Sequence, residues 1–195
     1  MKIIKFDEKL NSNVIEIHES QDFFLLGRQS GELNVTFDLK VENITVNIYG
    51  LILGDGDKNF NLRTKIIHSV PNAISWVLIK GIFADQSKFD FEGMISIKPG
   101  AVQSDAYLQN DNLLLNDDAV VNSSPQLEIA NDDVKASHGV TISTLDELQE
   151  FYLKSRGLGT KITENLLIKG FASQVVEKLD DKRIIELVNS FFHKI

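Results

Sequence analysis

The sequence predicts a mostly β body followed by α-helices. Three observations carry that reading. Apolar residues alternate with polar ones between residue 13 and about residue 142, turn-forming residues interrupt these runs every few positions, and the spacing becomes helical from Thr144 onward.

The strand runs follow in order. "NVIEIHE" sets Val14, Glu16 and His18 against Ile15, Ile17 and Glu19. "LNVTFDLKVENITVNIYG" puts Leu33, Val35, Phe37, Leu39 and Val41 on one face with polar residues between them, the period of a half-buried strand. "AISWVLIKGIF", "KFDFEGMISI", "NLLL", "AVV" and "QLEI" are further short runs, separated by "NDD" at 116–118, "NSSP" at 122–125 and "NDD" at 131–133. "GDG" at Gly54–Gly56 is the best hairpin candidate. Strands this short and frequent suit a β-sandwich or a β-helix, and periodicity does not choose between them. In a β-helix Asn110, Asn112, Asn116, Asn122 and Asn131 would suit the polar corners, stacking between coils, although no fixed-period repeat stands out.

From Thr144 the pattern is helical. Thr144 and Glu147 have capping-box spacing, Leu145, Leu148, Phe151 and Tyr152 form an apolar stripe, Lys154 and Arg156 fall in the last turn, and Gly157 supplies the stop. A second helix is expected over about 161–179 with Ile162, Leu166, Leu167, Phe171, Val175 and Val176 inward. A third is expected over about 181–194 with Ile184, Leu187, Val188 and Phe191 inward.

Composition narrows the function. Apolar residues form 43% of the 195 positions, enough for a core, and 28 acidic against 20 basic residues give a net charge of −8. Nucleic-acid binding is not expected, since phosphate neutralisation needs clustered Lys and Arg, and residues 99–134 hold seven acids and no base. The absence of cysteine excludes disulfides, thiolate metal sites and a catalytic thiol within this chain. The N-terminal "MKIIKFDEKL" lacks the apolar core of a signal peptide and no run has the length of a membrane span, so a cytoplasmic protein without membrane contact is expected.

Enzymatic motifs are sparse. "GLGT" at Gly157–Thr160 lacks the strand and the Lys-Ser/Thr ending of a phosphate loop and reads as a helix stop followed by a helix start. Asp-rich clusters fall at turns, where solvated Asp is ordinary. His68 in "HSVPN" suits a histidine fixed by hydrogen bonds at a turn. His138 in "DDVKASHGV" is the sharper candidate. It ends the strand region, small Ala136 and Ser137 precede it, and Gly139 beside it permits close approach of another backbone. One imidazole is an incomplete metal site, so further ligands would come from a second chain.

Long segments carry a resemblance: "HSVPNAIS" (68–75), "IKGIFADQSKFDFEGMISIKPGA" (79–101), "NDNLLLNDDAVVNSSPQLEIANDDVKASHG" (110–139), "EFYLKSRGL" (150–158) and "LLIKGFASQVVEKL" (166–179). In unbroken order over roughly residues 60 to 190, they resemble the SufB/SufD family of iron–sulfur cluster assembly scaffolds. The resemblance implies a short right-handed parallel β-helix over residues 1–142 and a helical domain over 143–195. It also implies pairing with a SufB-like paralogue or a second copy, and docking of a SufC-like ATPase whose motion opens the scaffold where a nascent cluster forms. Such a scaffold is not an enzyme. The docking region would include Leu158, Ile162, Leu166, Lys169 and Phe171.

SufB-like members carry a cysteine in the "DDVK-SHG" motif, at the position of Ala136 here, whereas the motif histidine is present as His138. The chain therefore resembles SufD more than SufB, and His138 is the expected metal ligand at the dimer seam, completed by the partner. No cofactor is expected on the isolated chain, and an iron–sulfur cluster only in a complex with a cysteine-bearing partner. The chain has less than half the usual family length, so an N-terminal helical domain and many coils are expected to be missing. The competing expectation is a β-solenoid interaction module that has lost cluster assembly.

Overall fold

The computed structural model describes residues 1–6, 13–179 and 182–194. Eleven strands come first: β1 (Lys2–Lys5), β2 (Asn13–Ile17), β3 (Gln21–Gly27), β4 (Gly31–Leu39), β5 (Thr45–Gly54), β6 (Asn59–His68), β7 (Ile74–Phe83), β8 (Lys88–Ile97), β9 (Asp105–Leu114), β10 (Val120–Ile129) and β11 (Lys135–Ser143). Helices α1 (Glu147–Ser155), α2 (Thr160–Val176) and α3 (Lys182–Lys194) follow.

Successive strands alternate between two sheets. Sheet I has the order β1-β3-β5-β7-β9-β11 and sheet II the order β10-β8-β6-β4-β2. Every pairing is parallel. The chain is thus a β-solenoid in which each coil adds one strand to each sheet, and the sandwich alternative is excluded. The hairpin expected at Gly54–Gly56 is instead a corner: β5 and β6 lie in different sheets, and Gly56 turns with φ 66°.

Side chains bonded between neighbouring coils are 25 residues apart at the start of the solenoid and 29 to 33 apart later. That drift hid the repeat. Its clearest mark is a left-handed corner residue on three successive coils, Asn43 (φ 60°), Asn72 (φ 57°) and Gln103 (φ 57°), each followed by a buried residue, Ile44, Ala73 or Ser104. The run from Leu33 therefore breaks into two strands at this corner. Leu33, Val35, Phe37 and Leu39 are buried, while Val41 is 40% exposed. "NSSP" is not a break, because β10 runs through it.

The asparagines bridge coils through backbone more than through one another. Asn116 Nδ2 donates to Asp85 O (2.9 Å), Asn131 Nδ2 to Lys98 O, and Asn122 Nδ2 to Asp90 Oδ1 (2.8 Å). Asn110 and Asn112 are not corner residues; both are fully buried in β9.

Two apolar clusters hold the molecule. The first fills the solenoid and is rich in phenylalanine, including Phe23 on Phe37 (4.8 Å between ring centres) and Phe83 stacked on Phe89 (5.2 Å). Each such ring contributes on the order of 1.5–3 kcal/mol by leaving water. The second lies between the outer face of sheet I, with Phe24, Leu51, Leu53 and Ile82, and the helices, with Ile168, Ala172, Val175, Val188 and Phe191. Arg28 ties α3 to the solenoid: it makes a bidentate pair with Asp55 (2.7 and 3.0 Å) and lies 5.0 Å from the Phe191 ring centre.

Helix α1 is capped by Asp146, whose Oδ1 accepts from the Leu148 and Gln149 amides, and not by Thr144. Gly157 ends the turn at φ 91°, as expected, and Gly159 opens α2. The inward face of α2 consists of Thr163, Ile168, Ala172 and Val175; Ile162 and Leu166, expected inward, are 61% and 50% exposed. In α3 Val188 and Phe191 are buried as expected, whereas the expectation for Ile184 and Leu187 lies outside the described side chains.

Candidate functional site

The solenoid ends in an open coil. Strands β10 and β11 are the last of their sheets, and among the described residues no strand pairs with their outer edges. Parallel register fixes which side chains face inward. Ile48, Val77, Leu108 and His138 are aligned across β5, β7, β9 and β11. The first three are buried, but His138 is exposed because no further coil covers it. The same open end leaves Ile129, Val140 and Ile142 between 37% and 46% exposed. His138 therefore continues a core-facing row at the mouth of the solenoid, bordered by apolar side chains. Ala136, two residues earlier, is half-buried on the same side.

Just inside the mouth sits a buried polar network. Asn110 Oδ1 accepts from Asn112 Nδ2 and from Ser123 Oγ, both at 2.7 Å, and Asn110 Nδ2 donates to Ile79 O at 3.3 Å. These bonds offset the cost of placing amides in an apolar interior. The space beside Gly139 is taken by the chain itself: a Cβ there would run into Gln109 Oε1. Gln109 is held by Tyr107 Oη (2.6 Å) and Asp111 (2.5 Å), so Gly139 accommodates an internal contact.

No group of three or more His, Cys, Asp and Glu able to hold a metal ion occurs among the described residues. His68 is not at the mouth. It is fully buried at the end of β6, with Nε2 2.8 Å from Ser75 Oγ. Burial lowers its pKa to about 4, against weaker opposing pulls from the Ala73 carbonyl and Asp105. It is a structural histidine, as the sequence suggested.

The helices offer a second surface. Of the five residues expected in the docking region, Ile162 and Leu166 are open to solvent, and Leu158 and Lys169 are half-buried. Phe171 is turned toward sheet I, its ring centre 4.2 Å from Lys80 Nζ. Of the apolar stripe, Leu145 packs against the second apolar cluster, whereas Leu148, Phe151 and Tyr152 are 79%, 72% and 56% exposed, and α1 buries none of its residues. Their i, i+3, i+4 spacing marked an apolar face but could not say that the solenoid leaves it uncovered. Next to this face a cleft of about 640 Å³ opens between a solenoid corner, α1 and α2. Asp85, Asp117, Glu147, Glu150 and Glu164 line it, with Lys154 bonded to Glu150 at 2.6 Å. No described helix is long and apolar enough to cross a membrane.

Comparison with known proteins places this architecture. Residues 20–171 match the family model described as "SUF system FeS cluster assembly, SufBD core domain". The chain is 35% identical to the iron–sulfur cluster assembly protein SufD of Escherichia coli, over 85% of this chain and 39% of that protein. It is 32% identical to SufD of Bacillus subtilis, over 69% and 33% respectively, and 28% identical to a SufBD family protein of Mycobacterium leprae, over 92% and 51%. The chain thus spans between a third and two fifths of the length of the two SufD proteins. The parallel β-solenoid together with these matches shows that the chain belongs to the SufB/SufD family of iron–sulfur cluster assembly proteins and is SufD-like.

Proposed function

We propose that the chain is a SufD-like, non-catalytic subunit of a cytoplasmic iron–sulfur cluster assembly scaffold. Its open coil joins a SufB-like paralogue or a second copy, and its helices dock a SufC-type ATPase. The nascent cluster is cargo held at the seam. His138 supplies one imidazole there, and thiolates come from a cysteine-bearing partner, since this chain has none. The observation that carries the reading is His138 on a core-facing row at the uncovered end of the solenoid, among exposed apolar side chains and unpaired strand edges. The exposed α1 residues beside an acidic cleft support a docking segment that pairs apolar side chains with basic ones.

Anaerobic reconstitution tests this. With a cysteine-bearing partner and the ATPase present, visible absorbance and iron content should show a cluster, reduced by His138→Ala while the complex still assembles. The isolated chain should hold none. Equal cluster yields from wild type and variant would demote His138 to a remnant. Association without any cluster would favour the second reading, a β-solenoid interaction module, for which the unpaired edges of β10 and β11 suffice.

A further inference from the structure

A buried cation lies between the two surfaces just described. Lys80 is on the outward row of sheet I, beneath α2, with its side chain 6% exposed. Its Nζ sits 3.3 Å from Asp111 Oδ2 and 4.2 Å from the ring centre of Phe171 on α2. Asp111 reaches the other way, where its Oδ1 accepts from Thr141 Oγ1 at 2.8 Å and from Gln109 Nε2 at 2.5 Å. Thr141 is on β11, three residues beyond His138. Lys80, Asp111 and Thr141 are neighbours in register on β7, β9 and β11. The contacts therefore run without a gap from a helix of the docking region to the strand that carries His138.

A buried ion pair is a poor stabiliser, because desolvation of both charges offsets most of their attraction, and an apolar residue of the same shape often serves as well. What the pair contributes is geometry. Lys80 has its full set of partners only while Phe171 covers it and Asp111 faces it. If α2 moves away, Lys80 gains water and loses the ring, and the orientation in which Asp111 holds Thr141 loses its support.

We propose that Lys80 and Asp111 are positioning residues that make the placement of β11, and so of His138, depend on the placement of α2. The role rests on the reading that α2 belongs to the docking region and that His138 works at the seam. The link itself can be tested without either partner.

The test is hydrogen exchange of backbone amides in the full chain, comparing wild type with Phe171→Leu, Lys80→Met and Lys80→Arg. Phe171→Leu touches no part of β11, yet it should speed exchange in β11 by about threefold or more. Lys80→Met should do the same. Lys80→Arg, which keeps both the charge and the ring contact, should restore wild-type exchange. Amides of β6, in the middle of sheet II and outside the row, serve as the control and should not change. Unaltered β11 exchange in either Phe171→Leu or Lys80→Met would overturn the proposal, and so would equal acceleration in β6 and β11, which marks general destabilisation. Should Lys80→Met fail to fold, Thr141→Val tests the link from the strand side, and faster exchange around Phe171 is then the required result. Failure of the ATPase to bind would remove the docking reading and leave the exchange result standing.

Discussion

Lowering the pH should destabilise this fold through one buried side chain, His68. The imidazole is fully buried, and its Nδ1 has no hydrogen-bond partner among the described residues. Protonation would place a charge in the core, and the loss of its hydration outweighs the pulls of the Ala73 carbonyl and Asp105. Its pKa is accordingly about 4 in the folded protein, against an ordinary value of 6.5. A histidine with a depressed folded pKa favours folding fully above the unfolded value, and that contribution is lost as pH falls from 6.5 toward 4. Between about pH 7.5 and about pH 5 the loss from this one group is about 2 kcal/mol. Urea unfolding at the two pH values should show it. The control is His68→Gln, which cannot titrate and can still bond Ser75. Its stability should fall less over the same range, by about that difference, whatever the substitution costs at neutral pH. Identical pH dependence in the two proteins, or an NMR titration of His68 near its ordinary value, would refute the reasoning.

Three further outcomes are expected. Under the proposed docking of an ATPase, Phe151→Ser, on the exposed face of α1, should weaken that association by about tenfold, or 1.4 kcal/mol, with little change in thermal stability; calorimetric titration and a melting curve check both. Asp146→Ala removes the α1 cap and should cost about 1 kcal/mol, seen as faster amide exchange in the first turn of α1. Phe89→Ala removes a fully buried ring packed between Phe83 and Phe91 and should cost about 3–5 kcal/mol in denaturant unfolding.

Much of the β body was legible because burial follows alternation wherever one face is inside: Leu33, Val35, Phe37 and Leu39 were readable as one row, and they are buried together. Pairing was harder to read. A strand in a solenoid bonds to a segment about one coil away, and the separations vary with corner length, so no local pattern announces the partner. "NSSP" misled because polar residues mark turns in isolation, yet Ser123 is accepted inside β10 by its bond to Asn110. On α1 periodicity identified an apolar face without revealing whether anything covers it. The family motif singled out His138, but only the parallel register shows that it extends an inward row. Lys80 carried no mark at all. A lone lysine in a strand looks solvated until a helix more than 80 residues later is seen to cover it.

The open last coil also has a thermodynamic consequence. A solenoid behaves as a one-dimensional lattice, with stability given by a term for each coil and a term for each interface between neighbours. Strands such as β5 and β7 have a ladder on both sides, whereas β10 and β11 have one each. A boundary coil lacks one interface term, so fraying starts at the two ends of the lattice, and one of those ends is the coil that holds His138. Any chain that stacks on the boundary supplies the missing term. At a hundredfold excess over its dissociation constant such a chain stabilises the coil by about 2.7 kcal/mol. Ordering of His138 and occupancy of the boundary are then one equilibrium, and how firmly that imidazole is held becomes a function of partner concentration.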